Sequence, residues 1–187
     1  MIGRMANIAI LFFIYFIITK SQCIWRIIYM KALVIYDSYF GNTEKIAQAI
    51  GNSLGPKTNV QTVKVDQAEQ GMLEGIDILF VGSPTRAFSP TPAIKSFVKK
   101  IKPKGLHGVK VAAFDTRILM DEKVPGFLRF MVKLFGYAEK PLQTLMVQKG
   151  GLATVPSQGF FVTASEGPLQ DGELERAAAW AKQIEKA

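Results

Sequence analysis

Apolar and polar positions in residues 31–187 follow two periods. Ala32–Tyr36 is a short β-rich apolar run closed by Asp37-Ser38. From Asn42 to Leu54, the residues Ile46, Ala47, Ile50 and Leu54 fall at helical spacing, and Gly55 ends the run. Val60–Val65 alternates as a second strand, and Ile76–Val81, apolar except for Asp77, is a third. An apolar run without a polar face predicts a strand covered on both sides, as in parallel sheets. Thr91-Pro92 supplies an N-cap and a first-turn proline for a helix with the stripe Ile94, Phe97, Val98 and Ile101. Val109–Phe114 is a fourth strand. Phe127–Tyr137 is an unusually apolar helix, and Pro141–Lys149 a further helical piece stopped by Gly150-Gly151. Leu152–Val155 and Gly159–Val162 read as one fifth strand interrupted at Pro156. Glu173–Lys186 closes the chain as a helix with Leu174, Ala177, Ala178, Ala181 and Ile184 inward. Five strands alternating with helices predict an α/β fold, one open parallel sheet with helices on both faces. Ligands of such sheets bind beyond the carboxyl ends of the strands where strand order reverses, so the loops after strands one, three and four are the places to search.

Composition changes this picture at one end of the chain. Of 187 residues, 49% are hydrophobic and 20% charged, which excludes global disorder. A single cysteine, Cys23, excludes a disulfide framework, and with a single histidine, His107, there is no Cys/His metal cluster. Residues 1–29 hold no acid and only Arg4, Lys20 and Arg26 as bases, and Met5–Thr19 is uncharged. That run is short of the ~20 residues of a membrane span, although Cys23–Trp25 and Ile27–Met30 extend it. Two readings stand. Residues 1–29 form a hydrophobic N-terminal helix that anchors the protein in a membrane, or they are an upstream-start artefact and translation begins at Met30. In the first case the bases Lys20, Arg26 and Lys31 keep the body, residues 30–187, in the cytoplasm, attached to the cytoplasmic face of the membrane. The body carries 20 Lys+Arg against 15 Asp+Glu. Lys95, Lys99, Lys100, Lys102 and Lys104 read as a solvated basic face and not a nucleic-acid surface, because no aromatic platform accompanies them.

The loop after the first strand carries the sharpest chemical signal. Asp37-Ser38-Tyr39-Phe40-Gly41-Asn42-Thr43-Glu44 packs two hydroxyl residues, a glycine and an asparagine between a strand and a helix start. Free amides there, helped by the helix dipole, favour a phosphate, with Ser38 and Thr43 as added donors. Gly41 permits close backbone approach or positive φ. A capped turn with nothing bound is the bland alternative. Neither a Gly-x-Gly-x-x-Gly fingerprint nor a Gly-Lys-Ser/Thr loop is present.

This loop resembles the phosphate-binding loop of flavodoxin-like proteins. Gly82-Ser83-Pro84-Thr85-Arg86-Ala87-Phe88 and Phe114-Asp115-Thr116-Arg117 resemble that family's second and third loops, and Pro-Thr-Arg is similar to the flavodoxin-type quinone reductases. The resemblance covers residues 31–187 and implies strand order 2-1-3-4-5 and flavin mononucleotide (FMN) as cofactor. It implies that Ser38, Tyr39, Phe40, Gly41, Asn42 and Thr43 wrap the phosphate. Pro84, Thr85, Arg86, Ala87 and Phe88 run beside the flavin ring, and Asp115, Thr116 and Arg117 border its other side. The flavin brings the electron chemistry and the protein the binding and electrostatics.

Departures from the family pattern set further expectations. The second loop offers Phe88 and no Trp to stack on the ring, Trp180 reads as core, and the body is basic. Arg86 and Arg117, where they face the ring, favour its anionic reduced form and make the flavin less reducing. The alternative for Arg86 is a loop salt bridge to Asp115. Phe127, Leu128, Phe130, Met131, Leu134, Phe135 and Tyr137 exceed one buried stripe; they read either as a packed core helix or as an apolar lip for a quinone or a membrane surface. No catalytic side chain stands out, and His107 reads as a loop residue. Two function classes remain: an electron-transfer protein serving a redox partner protein or small-molecule acceptor, and an NAD(P)H-dependent FMN reductase acting on a quinone-like acceptor.

Overall fold

In the computed structural model, which describes residues 29–56, 58–119 and 126–187, the apolar runs lie side by side as strands of one parallel sheet. These are β1 (Met30–Tyr36), β2 (Thr58–Lys64), β3 (Ile78–Pro84), β4 (Lys110–Ile118) and β5 (Gln158–Val162), in the order β2-β1-β3-β4-β5. The helices are α1 (Asn42–Ser53), α2 (Pro92–Lys100), α3 (Gly126–Phe135), α4 (Glu139–Gln148) and α5 (Glu173–Lys186). The hydrophobic helix expected within residues 1–29 lies almost wholly outside the described residues, as does Cys23. No helix among the described residues is long and apolar enough to cross a membrane.

Alternation along each strand feeds two cores. Leu33, Ile35, Leu79, Val81, Val111 and Ala113 point to one face and pack under Ile94, Phe97 and Val98 of α2 and Leu142 and Met146 of α4. On the other face Phe80, Phe114 and Phe160 surround Trp180 of α5 edge-on, with ring centroids 5.5, 6.3 and 5.9 Å away. Such edge-to-face pairs add to plain burial. The indole N–H donates to the Pro156 carbonyl at 3.0 Å, so its one polar group is satisfied.

Two boundaries depart from the pattern. The stretch Leu152–Val155 is not strand: Leu152 makes an isolated bridge to Lys110, and β5 begins only at Gln158. Pro156, with no N–H to give, separates the two. Conversely β4 runs four residues beyond Phe114, so Asp115-Thr116-Arg117 is strand and not loop, paired with Gly159, Phe160 and Phe161. Polarity suggested a loop; partners from other elements let the polar trio stay in the sheet.

The β3–β4 contact demands a glycine. A Cβ on Gly82 would overlap the Phe114 ring, which is fully buried. Gly82→Ala is therefore expected to cost about 1–3 kcal/mol through overpacking. Urea unfolding checks it as a lower midpoint at unchanged m-value.

Candidate functional site

The carboxyl ends of β1, β3 and β4 and the turn after β5 meet at a cavity of about 290 Å³. Its floor begins with the turn into α1. Gly41 takes φ 80°, a left-handed angle that favours glycine, and it caps α1 without any side-chain hydrogen bond. A Cβ there would touch nothing within 4 Å, so the backbone angle and not close approach requires the glycine. The first helical bond runs from Lys45 N–H to Gly41 O at 3.0 Å. The amides of the first turn thus lack a side-chain cap and sit at the positive end of the helix dipole.

Hydroxyls border this helix start. Ser38 lines the cavity, and its Oγ is buried without a hydrogen-bond partner. Thr43 and Thr116, nearly buried, share one hydrogen bond at 2.8 Å. One hydroxyl donates in that pair, so the other keeps a hydrogen to give. Asn42 Nδ2 donates to Glu166 O at 2.9 Å and ties α1 to the turn after β5. Tyr39 and Phe40 line the mouth and are about half exposed.

The second wall is the turn Arg86-Ala87-Phe88-Ser89. Arg86 and Ser89 exchange both backbone hydrogen bonds at 3.0 Å, while Ala87 and Phe88 take φ 45° and 62°. Two left-handed central residues define a type I′ turn, which normally carries glycine or asparagine. The strain of two non-glycine residues is held beside the cavity. The Arg86 guanidinium lies 4.9 Å from the Tyr39 ring centroid and so does not bridge to Asp115, the alternative expected for it.

Asp115 belongs to a buried ion cluster under the third wall. Its Oδ1 accepts from Arg117 Nε at 2.6 Å. Its Oδ2 accepts from the Thr85 hydroxyl at 2.6 Å and the Glu139 amide at 3.3 Å. Thr85 Oγ1 in turn accepts from the Ala138 amide at 3.0 Å, so two residues remote in sequence cap α4. Arg117 Nη2 stands 2.7 Å from Glu139 Oε2, an ion contact without directed hydrogen-bond geometry, and its guanidinium stacks 3.8 Å from the Tyr137 ring centroid. Burial pushes the Asp115 carboxyl up to about 7; Arg117 pulls it down and the Glu139 charge adds to the rise. Burial also raises the Tyr36 phenol at the end of β1, as does its hydrogen bond to Glu44 Oε1 at 3.1 Å.

Most residues singled out in the sequence come together here. Ser38, Tyr39, Phe40, Asn42 and Thr43 line the cavity, as do Pro84, Thr85, Arg86 and Ala87, and Thr116 and Arg117. Gly41, Phe88 and Asp115 do not: Gly41 shapes the turn, and Asp115 is fully buried beneath. Arg117 faces two carboxylates, so its charge is spent within the protein, and the electrostatic effect expected of two arginines falls to Arg86. Ile118, Val162, Ser165 and Glu166 also line the cavity and were not among the expected cofactor contacts. The last two follow β5, and the same rule of carboxyl strand ends would have found them. His107 is an exposed loop residue.

One face of the Phe-rich helix lies outside the core. Phe127, Phe130 and Leu134 of α3 are 73%, 60% and 63% exposed and lie on one helical face.

Comparison with known proteins agrees with this architecture. A family model described as flavodoxin domain matches residues 33–155. The chain is 27% identical over 154 residues to probable flavodoxin 1 of Bacillus subtilis (strain 168), covering 81% of this chain and 88% of that protein. Oxidised flavodoxin 1 of Bacillus cereus superposes with a TM-score of 0.66 at 19% identity, over 83% of this chain and 97% of its own. Oxidised flavodoxin 2 of the same organism gives 0.66 at 22%, over 83% and 98%. With the matching model spanning more than half of its length, the chain is a member of the flavodoxin domain family.

Proposed function

We propose that this protein is an FMN-binding electron carrier whose cofactor phosphate sits at the start of α1, held by Ser38 through Thr43. The observation that carries the assignment is the buried Ser38 Oγ, which lines the cavity and has no partner. A buried hydroxyl left unsatisfied is costly, and a phosphate oxygen in front of it would satisfy it together with the uncapped amides. The residues present therefore fit the group. When bound, FMN would supply one- and two-electron chemistry. The chain's own contribution is to hold and orient. The type I′ turn and the ion cluster fix Thr85 and Arg86 along one wall. Asn42 closes the other side against Glu166. Arg86 leaves a positive charge at the mouth, which favours a reduced, negatively charged ligand.

Titration of the folded protein with FMN should quench flavin fluorescence to a one-to-one endpoint; unchanged fluorescence together with no heat of association would overturn the reading. The reductase alternative separates by colour. The carrier's flavin band is expected to bleach through a partner reductase, and rapid bleaching by NADH or NADPH alone would favour the enzyme. For its location, our reading is the cytoplasm at the inner face of a membrane. It is supported by the acid-free apolar run of residues 1–29 and its flanking bases Lys20, Arg26 and Lys31.

A further inference from the structure

The two edges of the parallel sheet differ in charge. Chain segments at the carboxyl edge, where strands end and the cavity lies, mix acids with bases: Asp115 and Glu139 meet Arg117, Glu173 meets Arg176, and Arg86 stands at the cavity. The amino edge, where strands begin and helices end, is basic. Lys99, Lys100, Lys102 and Lys104, at the end of α2 and in the turn after it, are all exposed. The edge is tied together by its own contacts. Lys149 Nζ, beyond the end of α4, donates to the carbonyls of Lys99 and Ile101 at 2.8 and 2.5 Å. Lys110 Nζ, at the start of β4, donates to Ile184 O near the end of α5 at 3.1 Å. Exposed Lys31, Lys182 and Lys186 enlarge the patch.

The acids on this edge, Asp77, Glu185 and Glu74, are outnumbered by its lysines. Asp77 Oδ2 is engaged by the Lys31 amide at 2.8 Å, and Glu185 Oε1 by the Gly55 amide and the Thr58 hydroxyl at 3.0 and 2.6 Å. Glu74 is left exposed in the turn before β3.

A solvated helix end accounts for part of the cluster. Lys99 and Lys100 lie in the last turn of α2, where cations complement the helix dipole. That reason does not reach Lys102 or Lys104. Lys104 even takes φ 59°, a left-handed angle at which glycine or asparagine is cheaper. Exposed apolar side chains also belong to this edge: Val147 in the last turn of α4 and Leu152 beside the start of β4. Lysines interspersed with exposed apolar groups suit an anionic bilayer surface, where heads meet phosphates and apolar atoms meet the acyl boundary.

We propose that the amino edge of the sheet, centred on Lys99, Lys100, Lys102 and Lys104, docks on anionic lipid headgroups, so that the cavity at the carboxyl edge faces away from the bilayer. The inference deepens the membrane-face reading and does not depend on FMN binding. A strand of seven residues sets the two edges roughly 20 Å apart. The arrangement also separates the two membrane routes legible in the sequence. α3 rejoins the domain at Ala138 and Glu139, which bond to Thr85 and Asp115 at the carboxyl edge. The end of α3 therefore lies at the carboxyl edge, away from the lysine patch.

The test uses the full chain with Cys23→Ser and one fluorophore, at His107→Cys on the amino edge or at Ala164→Cys just past β5. Vesicles of phosphatidylcholine with 30% phosphatidylserine, as an order-of-magnitude anionic fraction, carry an energy acceptor in the headgroup. Transfer from position 107 should exceed that from 164. Reversing Lys99, Lys100, Lys102 and Lys104 to Glu should bring transfer from position 107 down to that from 164, an effect that added salt reproduces in the unreversed chain. Equal or stronger transfer from 164 overturns the proposal, as does transfer from 107 indifferent to charge reversal. So does retention on single-stranded RNA without vesicle binding. FMN titration of the same samples reports separately, so loss of cofactor binding and loss of lipid docking cannot be confused.

Discussion

Arg117→Ala is expected to lower stability by about 3–5 kcal/mol near pH 8, the cost of leaving buried charge without its partner. Asp115 is fully buried and Glu139 nearly so, and Arg117 contacts both, at 2.6 and 2.7 Å. The loss should depend on pH in a defined direction. Burial raises the folded Asp115 carboxyl from 3.8 to about 7, so folding favours its protonated form. Stability contributed by this group is full below about pH 4 and falls as pH climbs through about 7. Without Arg117 the carboxyl loses the cation that pulled it down, and the window of loss extends upward. Urea unfolding at pH 5 and pH 8 should show the variant recovering part of its deficit in acid. Adding Asp115→Asn should recover part of it at pH 8. The same deficit at both pH values, unrelieved by the second substitution, would show that lost packing on Tyr137 and not charge is responsible.

A second large effect is expected at the helix start. Ser38→Ala and Thr43→Val together should weaken FMN binding by about 10² or more, since a hydrogen bond to a charged group contributes about 1.5–3 kcal/mol. Ser38 Oγ is unpartnered before binding, and removing it leaves no new unsatisfied group in the protein. Thr43→Val keeps the volume and frees only the Thr116 hydroxyl. The control is riboflavin, which has the ring and no phosphate. Its affinity should change little, and parallel losses for riboflavin and FMN would move the phosphate away from this loop.

The contrast between these two sites explains what could be read in advance. The loop from Asp37 to Glu44 is contiguous, and its function as a helix start follows from residues within reach of one another along the chain. The Arg117 cluster joins Thr85, Asp115, Arg117, Tyr137 and Glu139, which span more than fifty positions. Asp115-Thr116-Arg117 looked like a loop because three polar residues rarely continue a buried strand. They do so here because the register sets Asp115 beside Gly159 and Ser83, and α4 brings the Glu139 amide to it and the Glu139 carboxylate to Arg117. The Phe-rich stretch shows the converse. Its periodicity predicts a helix and one is present, but no periodicity says whether an apolar face meets a core, and Phe127, Phe130 and Leu134 meet none.

By itself the amino-acid order determined the elements and their class, because strand and helix periods are local and an apolar run can be stable only where both its faces are covered. It also pointed to the helix start where the phosphate is proposed to sit, since a glycine turn before a helix exposes amides whatever the rest of the chain does. Tertiary structure alone decided which charges are spent inside the protein and which remain at its surface. Arg117 and Arg86 are alike in sequence, yet one is held between Asp115 and the Glu139 that α4 brings to it, and the other lies over Tyr39. The lysines at and after the end of α2 joined Lys110 and Lys149 on one edge only when the parallel sheet brought the starts of its strands together. Long-range electrostatics depends on distances through space, and those exist only once the sheet has formed.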